Sequence, residues 1–244
     1  MSHLEAMQRE GNMAHVLKKA LRKVAKTFQT NAGLNGGTYK LHSYVGKNGA
    51  FDYERYRKIQ TEGNKSKIGN VWVKQENIRA IADYLKTRNS APTFGLCHGT
   101  RRGLEQKWFS EELGCPVLGT EISDTATQFP NTVQQDFHEA RTDWLSACDF
   151  IYSNSFDHSF DPAKALRTWV SCLKPGGVVV IEHSSAHEAS ATTERDPFGA
   201  ALHLMPYLVL QWSDGDFFVT KILDMPAVDK KLSYTKALII EARN

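Results

Sequence analysis

The stretch DFIYSNSFDHSFDP at 149–162, together with LKPGGVVVIEH at 173–183, decides the fold of this chain. Its apolar start predicts a buried strand, and Asp161-Pro162 begins a helix after a polar turn. The residues at 174–177, Lys-Pro-Gly-Gly, are typical of a helix end, because proline stops a helix and glycine adopts the left-handed turn. The apolar run that follows predicts the next strand. A strand, a helix and a second strand of these lengths indicate a right-handed crossover within a parallel sheet.

The same alternation extends on both sides of this stretch. Upstream, apolar and helical runs follow one another from residue 93 in the order TFGLC, LEQKWFSEEL, PVLGTEI and TVQQD. Downstream we predict a helix over Phe198–Leu210 and an antiparallel pair of strands over Asp216–Leu223 and Thr235–Ala242. The sequence therefore predicts a doubly wound α/β fold with a mostly parallel sheet, an antiparallel C-terminal edge hairpin and an N-terminal helical extension.

The N-terminal part differs in character from the rest. We predict that residues 1–73 form a basic helix followed by an irregular cap segment with a short helix near Tyr53–Gln60. Residues 74–244 form the main domain, which begins with a helix over Gln75–Leu85. Three roles stay open for the basic helix: packing of its apolar face on the domain, contact with an anionic membrane surface, and contact with RNA phosphates. Its basic face is formed by Lys18, Lys19, Arg22, Lys23 and Lys26.

Composition excludes several classes of protein. The 244 residues are 41% hydrophobic, which suits one core with additions, and the net charge of only +3 disfavours nucleic acid as a partner. The four cysteines form no CxxC pair, so a zinc knuckle is not expected. The polar start has no apolar signal region, and no uninterrupted run of 18 apolar residues predicts a membrane span. We expect a cytoplasmic protein, with peripheral membrane contact as an open alternative.

Three positions at predicted strand ends suit a ligand site. In the loop between the strand at 93–97 and the next helix, Gly99 and Gly103 let a ligand approach the backbone, and the helix N-terminus favours an anion. About twenty residues later, Glu121 ends a strand, where a carboxylate can accept hydrogen bonds from ribose hydroxyls. Asp136 ends the following strand, where it can accept a hydrogen bond from an adenine amine or cap a helix.

These features in this order resemble the class I S-adenosylmethionine-dependent methyltransferases, the type 11 group in particular. The resemblance covers about Thr93 to His183 and is carried by the first glycine loop, Glu121, the turn at 154–158 and the Pro-Gly-Gly sequence. It implies a Rossmann-like fold, S-adenosylmethionine as cofactor, and a cap over the cofactor cleft from the segment at 39–73. The residues that it implies in cofactor binding are Cys97, His98, Gly99, Arg101, Gly103, Glu121, Asp136 and Asn154.

The first loop departs from the family pattern of an acidic residue followed by three closely spaced glycines. Gly95 stands near the acidic position, Cys97 replaces the first glycine and Arg101 replaces the third. The two extra cations, Arg101 and Arg102, can pair with the cofactor carboxylate or with Glu105.

The resemblance also places candidate catalytic residues after the fourth and fifth strands. These are His158, Asp157 and His183, of which His158 is either a general base or a packing residue. We predict no metal, although His183 and His187 have the spacing of two ligands on one helix face.

Two functions from different classes fit these observations. The first is an enzyme that methylates a small-molecule or saccharide acceptor, with O-methylation as the predicted reaction. The second is a non-catalytic binding protein of the same fold, associated with a membrane or with nucleic acid. Glu121 and the turn at 154–158 favour the enzyme, whereas the atypical first loop favours the binding protein.

Overall fold

A computed structural model describes residues 39–46, 49–88 and 90–243 of the chain. The predicted basic helix lies outside the described residues. The centre of the fold is a seven-stranded sheet in the order β4-β3-β2-β5-β6-β9-β8. Its strands are β2 (Gly95–His98), β3 (Val117–Glu121), β4 (Thr132–Gln134), β5 (Cys148–Ser153), β6 (Leu173–Ser184), β8 (Phe217–Asp224) and β9 (Thr235–Ala242).

Strands β4, β3, β2, β5 and β6 are parallel, whereas β6, β9 and β8 pair antiparallel. The predicted doubly wound sheet and its antiparallel C-terminal edge hairpin are therefore confirmed. Because parallel strands end on the same side, the carboxyl ends of β2, β3 and β5 lie along one edge of the sheet.

Five helices flank the sheet within the described ranges. They are α1 (Tyr53–Ser66), α2 (Gln75–Lys86), α3 (Leu104–Leu113), α4 (Pro162–Ser171) and α5 (Met205–Ser213). The prediction of α2 is confirmed, with Ile78, Ile81 and Leu85 buried on one face. Helix α4 begins as predicted, because Asp161 caps it by accepting a hydrogen bond from the Lys164 backbone N–H at 3.0 Å.

The central strands of the sheet are buried on both faces, as their near-continuous apolar sequences require, whereas the edge strands β4 and β8 are partly exposed. Alternate residues of one strand enter different cores: Ile151 of β5 packs with Trp169 of α4, whereas Phe150 and Tyr152 pack with Phe109 of α3. This double burial fixes the register of β5, and with it the direction in which the turn after Ser153 leaves the sheet.

Two details of the predicted connections are wrong. Helix α4 ends at Ser171 with Cys172 as its C-cap, so Pro175 does not stop it; residues 173–177 already belong to β6, and Gly176 has a φ of +79°. The predicted helix over Phe198–Leu210 is also wrong, because β7 (Phe198–Ala200) precedes a 3₁₀ turn and α5. In a helix that began at residue 198, Pro206 would stand at an interior position, where proline breaks the hydrogen-bond ladder. In the structure Pro206 lies in the first turn of α5, where proline is tolerated.

The cap segment packs against this domain. Strand β1 (Tyr39–Leu41) pairs antiparallel with β7, and α1 is longer than predicted. The aromatic rings of Tyr56 and Phe160 meet edge to face with centroids 4.7 Å apart, which holds α1 over the turn after β5. No helix in the described part of the chain is long and apolar enough to cross a membrane.

Candidate active site

A cleft of about 290 Å³ opens above the carboxyl ends of β2 and β5. It adjoins a narrower pocket of about 50 Å³ that extends towards the ends of β3 and β4. The side chains common to both walls are Lys67, Gly99, Arg101, Ser155 and His158. The two spaces together form one groove along the strand ends, between the sheet and α1.

The loop between β2 and α3 forms one wall of this groove. Gly99 has a φ of +73°, and a Cβ there would lie 2.6 Å from Ser155 Cβ, so glycine is required. Gly103, with a φ of +72°, starts α3 and does not line the groove. Arg101 also has a positive φ of 41°, which is strained for a residue with a Cβ and is typical of functional sites.

Glu121 lies at the end of β3 in the narrower pocket and is 6% exposed. Its Oε2 accepts a hydrogen bond from the Arg101 backbone N–H at 3.1 Å, and its Oε1 accepts one from the Ser123 N–H at 3.1 Å. Burial raises the pKa of this carboxyl, while these two amides and His158 oppose the rise. Each oxygen keeps a further lone pair for a ligand hydroxyl.

Asp136 lies in the same pocket and connects the sheet to the cap. Its Oδ1 contacts the His138 backbone N at 2.9 Å and the ring Nδ1 at 2.7 Å, and its Oδ2 accepts a hydrogen bond from Tyr53 Oη at 2.9 Å. Burial acts to raise the pKa of Asp136, but the hydrogen bonds from His138 prevail and the pKa is lowered. Asp136 is therefore an ionised acceptor at one end of the groove, beside α1.

His158 lies on the turn after β5, on the wall between the two parts of the groove. Its Nδ1 is 2.8 Å from Gln60 Oε1 and 2.9 Å from the Arg195 carbonyl oxygen. Because both neighbours are acceptors, Nδ1 carries the proton and Nε2 has a free lone pair. Nε2 lies 3.8 Å from Asp196 Oδ1, which is beyond hydrogen-bond distance. The ring is thus held in the orientation and tautomer that a general base needs.

Asn154 and Asp157 complete this wall. Asn154 is 7% exposed, and its Oδ1 accepts a hydrogen bond from Ser155 Oγ at 3.1 Å. The Oδ1 atom of Asp157 is buried and has no hydrogen-bond partner in the described residues. Asp157, His158 and Asp196 also have ligand atoms within 4.8 Å of one another, the spacing of a metal site.

Four predicted site residues lie away from the groove: Gly103, described above, and three buried side chains. Cys97 is buried in the core of β2, and burial raises its thiol pKa well above the usual range. His98 donates or accepts a hydrogen bond at 2.8 Å to Thr120 Oγ1, and burial lowers its pKa to about 3. His183 lies under β7, where its Nε2 contacts the Ala200 carbonyl oxygen at 3.0 Å and burial lowers its pKa to about 4. Its ring also stacks on Tyr234, so neither ring nitrogen reaches the groove.

Several residues that the structure brings to the groove were not among the residues predicted from the sequence. Gln60 of the cap holds the His158 ring, and Asp196 of the β6–β7 connection faces it. Neither segment contains a sequence motif. Glu105 was considered only as a partner for an arginine, yet it lines the wider cleft and is 7% exposed. Its predicted position in the first turn of α3, two residues after Gly103, could have indicated that it lines the site.

Comparison with known proteins identifies the domain and the fold. A family model described as a methyltransferase domain matches residues 96–181. No curated protein sequence matches the chain. The solved structure of the Burkholderia thailandensis 1,6-didemethyltoxoflavin-N1-methyltransferase, with bound 1,6-didemethyltoxoflavin and S-adenosylhomocysteine, has a TM-score of 0.60 at 14% identity. The match covers 80% of this chain and 92% of that one.

Two further structures share the fold. A plantazolicin methyltransferase in complex with a triazolic desmethyl analogue and S-adenosylhomocysteine has a TM-score of 0.56 at 14% identity, covering 78% of this chain and 98% of that one. The mitomycin 7-O-methyltransferase has a TM-score of 0.52 at 12% identity, covering 69% of this chain and 54% of that one. At such identities the likeness shows a common fold.

Proposed function

We propose that this chain, which belongs to the class I S-adenosylmethionine-dependent methyltransferases by its domain match and its fold, methylates a hydroxyl oxygen of a small-molecule or saccharide acceptor. The observation that carries the proposal is the orientation of His158. Its Nδ1 is occupied by two acceptors, and its Nε2 faces the groove beside Asp196. A hydroxyl acceptor must lose a proton during methylation, and this nitrogen is free to take it.

The residues of the groove fit S-adenosylmethionine. Gly99 lines both parts of the groove, and Glu121 has free lone pairs for two ribose hydroxyls. Asp136 is an acceptor for the adenine amine at the far end, and Asn154 lies on the wall of the wider cleft. When bound, the cofactor supplies an electrophilic methyl group on a sulfonium, which needs no covalent help from the protein.

The chain itself therefore has two tasks. It aligns the acceptor hydroxyl in the wider cleft, and it removes one proton. The proton passes from the acceptor oxygen to His158 Nε2, and the resulting imidazolium is stabilised by Asp196 at 3.8 Å. The Arg195 carbonyl and Gln60 keep the ring in place during this transfer.

Among the proteins of similar fold, one is an N1-methyltransferase with bound 1,6-didemethyltoxoflavin, one is a 7-O-methyltransferase, and one binds a triazolic plantazolicin analogue. The choice of oxygen in this chain rests on His158, because a hydroxyl needs a base more than a neutral amine does.

The test is methyl transfer from S-adenosylmethionine to a panel of hydroxylated small molecules and saccharides, with amines as controls, read by mass spectrometry. We expect products methylated at oxygen. Products formed only on amines would refute O-methylation, but they would still show that the protein is a methyltransferase.

The non-catalytic binding protein is the second candidate, and Arg101 favours it. A charged, strained residue stands where the family has its third glycine. This candidate predicts that S-adenosylhomocysteine binds while no acceptor in a broad panel is methylated.

Cytoplasmic location, peripheral membrane contact and the division at residue 73 stay predictions, and the first 38 residues that carry the membrane prediction are outside the described part. If the basic helix binds membranes, the protein sediments with anionic vesicles, less so at high salt. Replacement of Lys18, Lys19, Arg22 and Lys23 by glutamine then abolishes sedimentation. Sedimentation that is absent or unchanged favours packing of the helix on the domain.

A further inference from the structure

The first loop and α3 bring three charged side chains to the wall of the wider cleft, namely Arg101, Arg102 and Glu105. Glu105 lies in the first turn of α3, and Arg101 lies four residues before it. None of the ion pairs between described residues includes either of them. A cleft lined by a carboxyl and a guanidinium that have no ion-pair partner suits a ligand that carries both charges.

The surroundings of Glu105 make it costly to ionise without a ligand. Burial raises its pKa to about 8, while its own backbone N–H and the Arg101 guanidinium lower it only in part. Two further carboxyls, Glu121 and Glu182, add to the rise. The uncharged titratable groups that face it from the neighbouring strands are Cys97 and Tyr152. Glu105 is therefore mostly protonated at neutral pH in the unliganded protein.

Arg101 is the complementary group. Its Nε is buried without a hydrogen-bond partner in the described residues, and its terminal nitrogen donates one long hydrogen bond, 3.3 Å, to the Asn70 carbonyl oxygen. A guanidinium has five N–H donors in a fixed fork that matches a carboxylate. The N–H donors of Arg101 that have no partner are therefore available to an anionic group of a ligand in the cleft.

Gly95 cannot supply a carboxyl to this cleft. A Cβ at Gly95 would lie 2.3 Å from two ring atoms of Phe150, so no side chain fits there. The carboxyl that lines this part of the cleft is that of Glu105, from α3.

We propose that Glu105 binds the α-ammonium and Arg101 the α-carboxylate of the amino-acid end of S-adenosylmethionine. The inference rests on the proposed methyltransferase function and assigns residues to a part of the ligand that Glu121 and Asp136 do not contact. Its consequence is a link between binding and protons: an ammonium beside Glu105 favours the carboxylate, so binding releases a proton from this residue.

The test compares two probes that share the nucleoside and the sulfur. S-adenosylhomocysteine has the amino-acid end, and 5′-methylthioadenosine lacks it. We expect Glu105→Gln to weaken S-adenosylhomocysteine binding by about 10–100-fold at pH 8, because a charged partner is lost. Binding of 5′-methylthioadenosine should stay within about twofold, which also shows that the variant is folded. Arg101→Gln should give the same selective loss, and Glu111→Gln, on the exposed face of α3, should affect neither probe.

The proton link supplies a second measurement. In the wild type, affinity for S-adenosylhomocysteine should rise about tenfold from pH 6 to pH 7, because the ionised fraction of Glu105 rises tenfold below its pKa. Glu105→Gln should remove this rise, and calorimetry in buffers of different ionisation enthalpy should show proton release only with the wild type. Equal weakening of both probes, or an unchanged pH dependence, would overturn the assignment. Failure of the wild type to bind either probe would instead refute the proposed function.

Discussion

The carboxyl ends of β5 and β6 are neighbours in the sheet, and each has an acid next to a histidine, just after β5 and within the last residues of β6, yet their chemistry differs. After β5, Asp157 and His158 line the open groove. At the end of β6, Glu182 and His183 are each 3% exposed, sealed by β7, Tyr234 and α2. The same residue types therefore act as a site in one case and as core in the other. What covers a strand end decides its role, and the position of the strand in the sheet does not.

The largest expected effect separates the two histidines. His158→Gln should lower turnover by about 10²–10⁴-fold, while cofactor affinity stays within about twofold, because the base is lost and the cofactor contacts remain. His183→Gln is the matched control. Its turnover should stay within a few-fold of the wild type, and the substitution should lower the thermal stability instead. Steady-state kinetics and calorimetry on both variants measure this. If turnover and affinity fall together and modestly in His158→Gln, the residue only packs in the groove.

The next effect concerns the open end of β3. Glu121→Ala should weaken S-adenosylhomocysteine binding by about 1.5–3 kcal/mol, because two ribose hydroxyls lose a charged acceptor. Asp124→Ala, three residues on at an exposed position, is the control and should bind normally. A folded Glu121→Ala protein that binds as tightly as the wild type would mean that this strand end does not hold the ribose.

The sealed end of β6 should affect stability and not catalysis. Burial raises the pKa of Glu182 to about 7. Since this value lies above that of the unfolded chain, the folded state keeps a proton that the unfolded state has lost, and the stability contribution falls as pH rises from about 4.5 through 7.

Glu182→Gln cannot ionise, so its Tm relative to the wild type should increase between pH 5 and pH 8. The gain corresponds to about 1–3 kcal/mol, or several degrees. Thermal melts at the two pH values measure it. A difference in Tm that is the same at both pH values would show that Glu182 is ionised in the folded protein.

A smaller effect is expected where the cap meets the groove. Tyr53→Phe removes one hydrogen bond to Asp136 and should weaken S-adenosylhomocysteine binding by about two- to tenfold. Tyr84→Phe, on α2, is the control. Unchanged binding in Tyr53→Phe would show that the cap does not help to close the nucleoside pocket.

The smallest effect concerns metal ions. If His158 Nε2 is the base, then treatment with EDTA should leave turnover within about twofold, and added Zn²⁺ should inhibit by occupying His158, Asp157 and Asp196. If chelation abolished turnover and a divalent cation restored it, the reaction would depend on a metal ion at this site and not on His158 as a base.

Much of the fold could be predicted from the sequence because its signals are local and repeated. The alternation of apolar and helical runs from 93 to 183 predicts the parallel strands, and the edge strands at 217–224 and 235–242 follow from their spacing. The helix predicted at Phe198 is wrong because its first residues are a strand, paired with β1 some 160 residues earlier in the chain. Apolar periodicity over so few residues cannot distinguish the two.

The groove was predictable only in part. Glu121, Asp136, Asn154 and the turn at 157–158 are at strand ends, where position along the chain gives position in the site. Gln60, Arg195 and Asp196 are brought to His158 from the cap and the β6–β7 connection by tertiary packing, which no motif records. Cys97 and His98 were assigned to the cofactor by analogy with a glycine loop, whereas both side chains point into the core.

The central claim is that the groove along the ends of β2, β3 and β5 binds the cofactor of a methyltransferase. Titration of S-adenosylhomocysteine into the wild-type protein, followed by calorimetry, tests it most directly because no acceptor is needed. The account predicts one site per chain with micromolar affinity, and a Tm that rises with ligand concentration by mass action. Neither binding heat nor a shift of Tm at millimolar S-adenosylhomocysteine would contradict it.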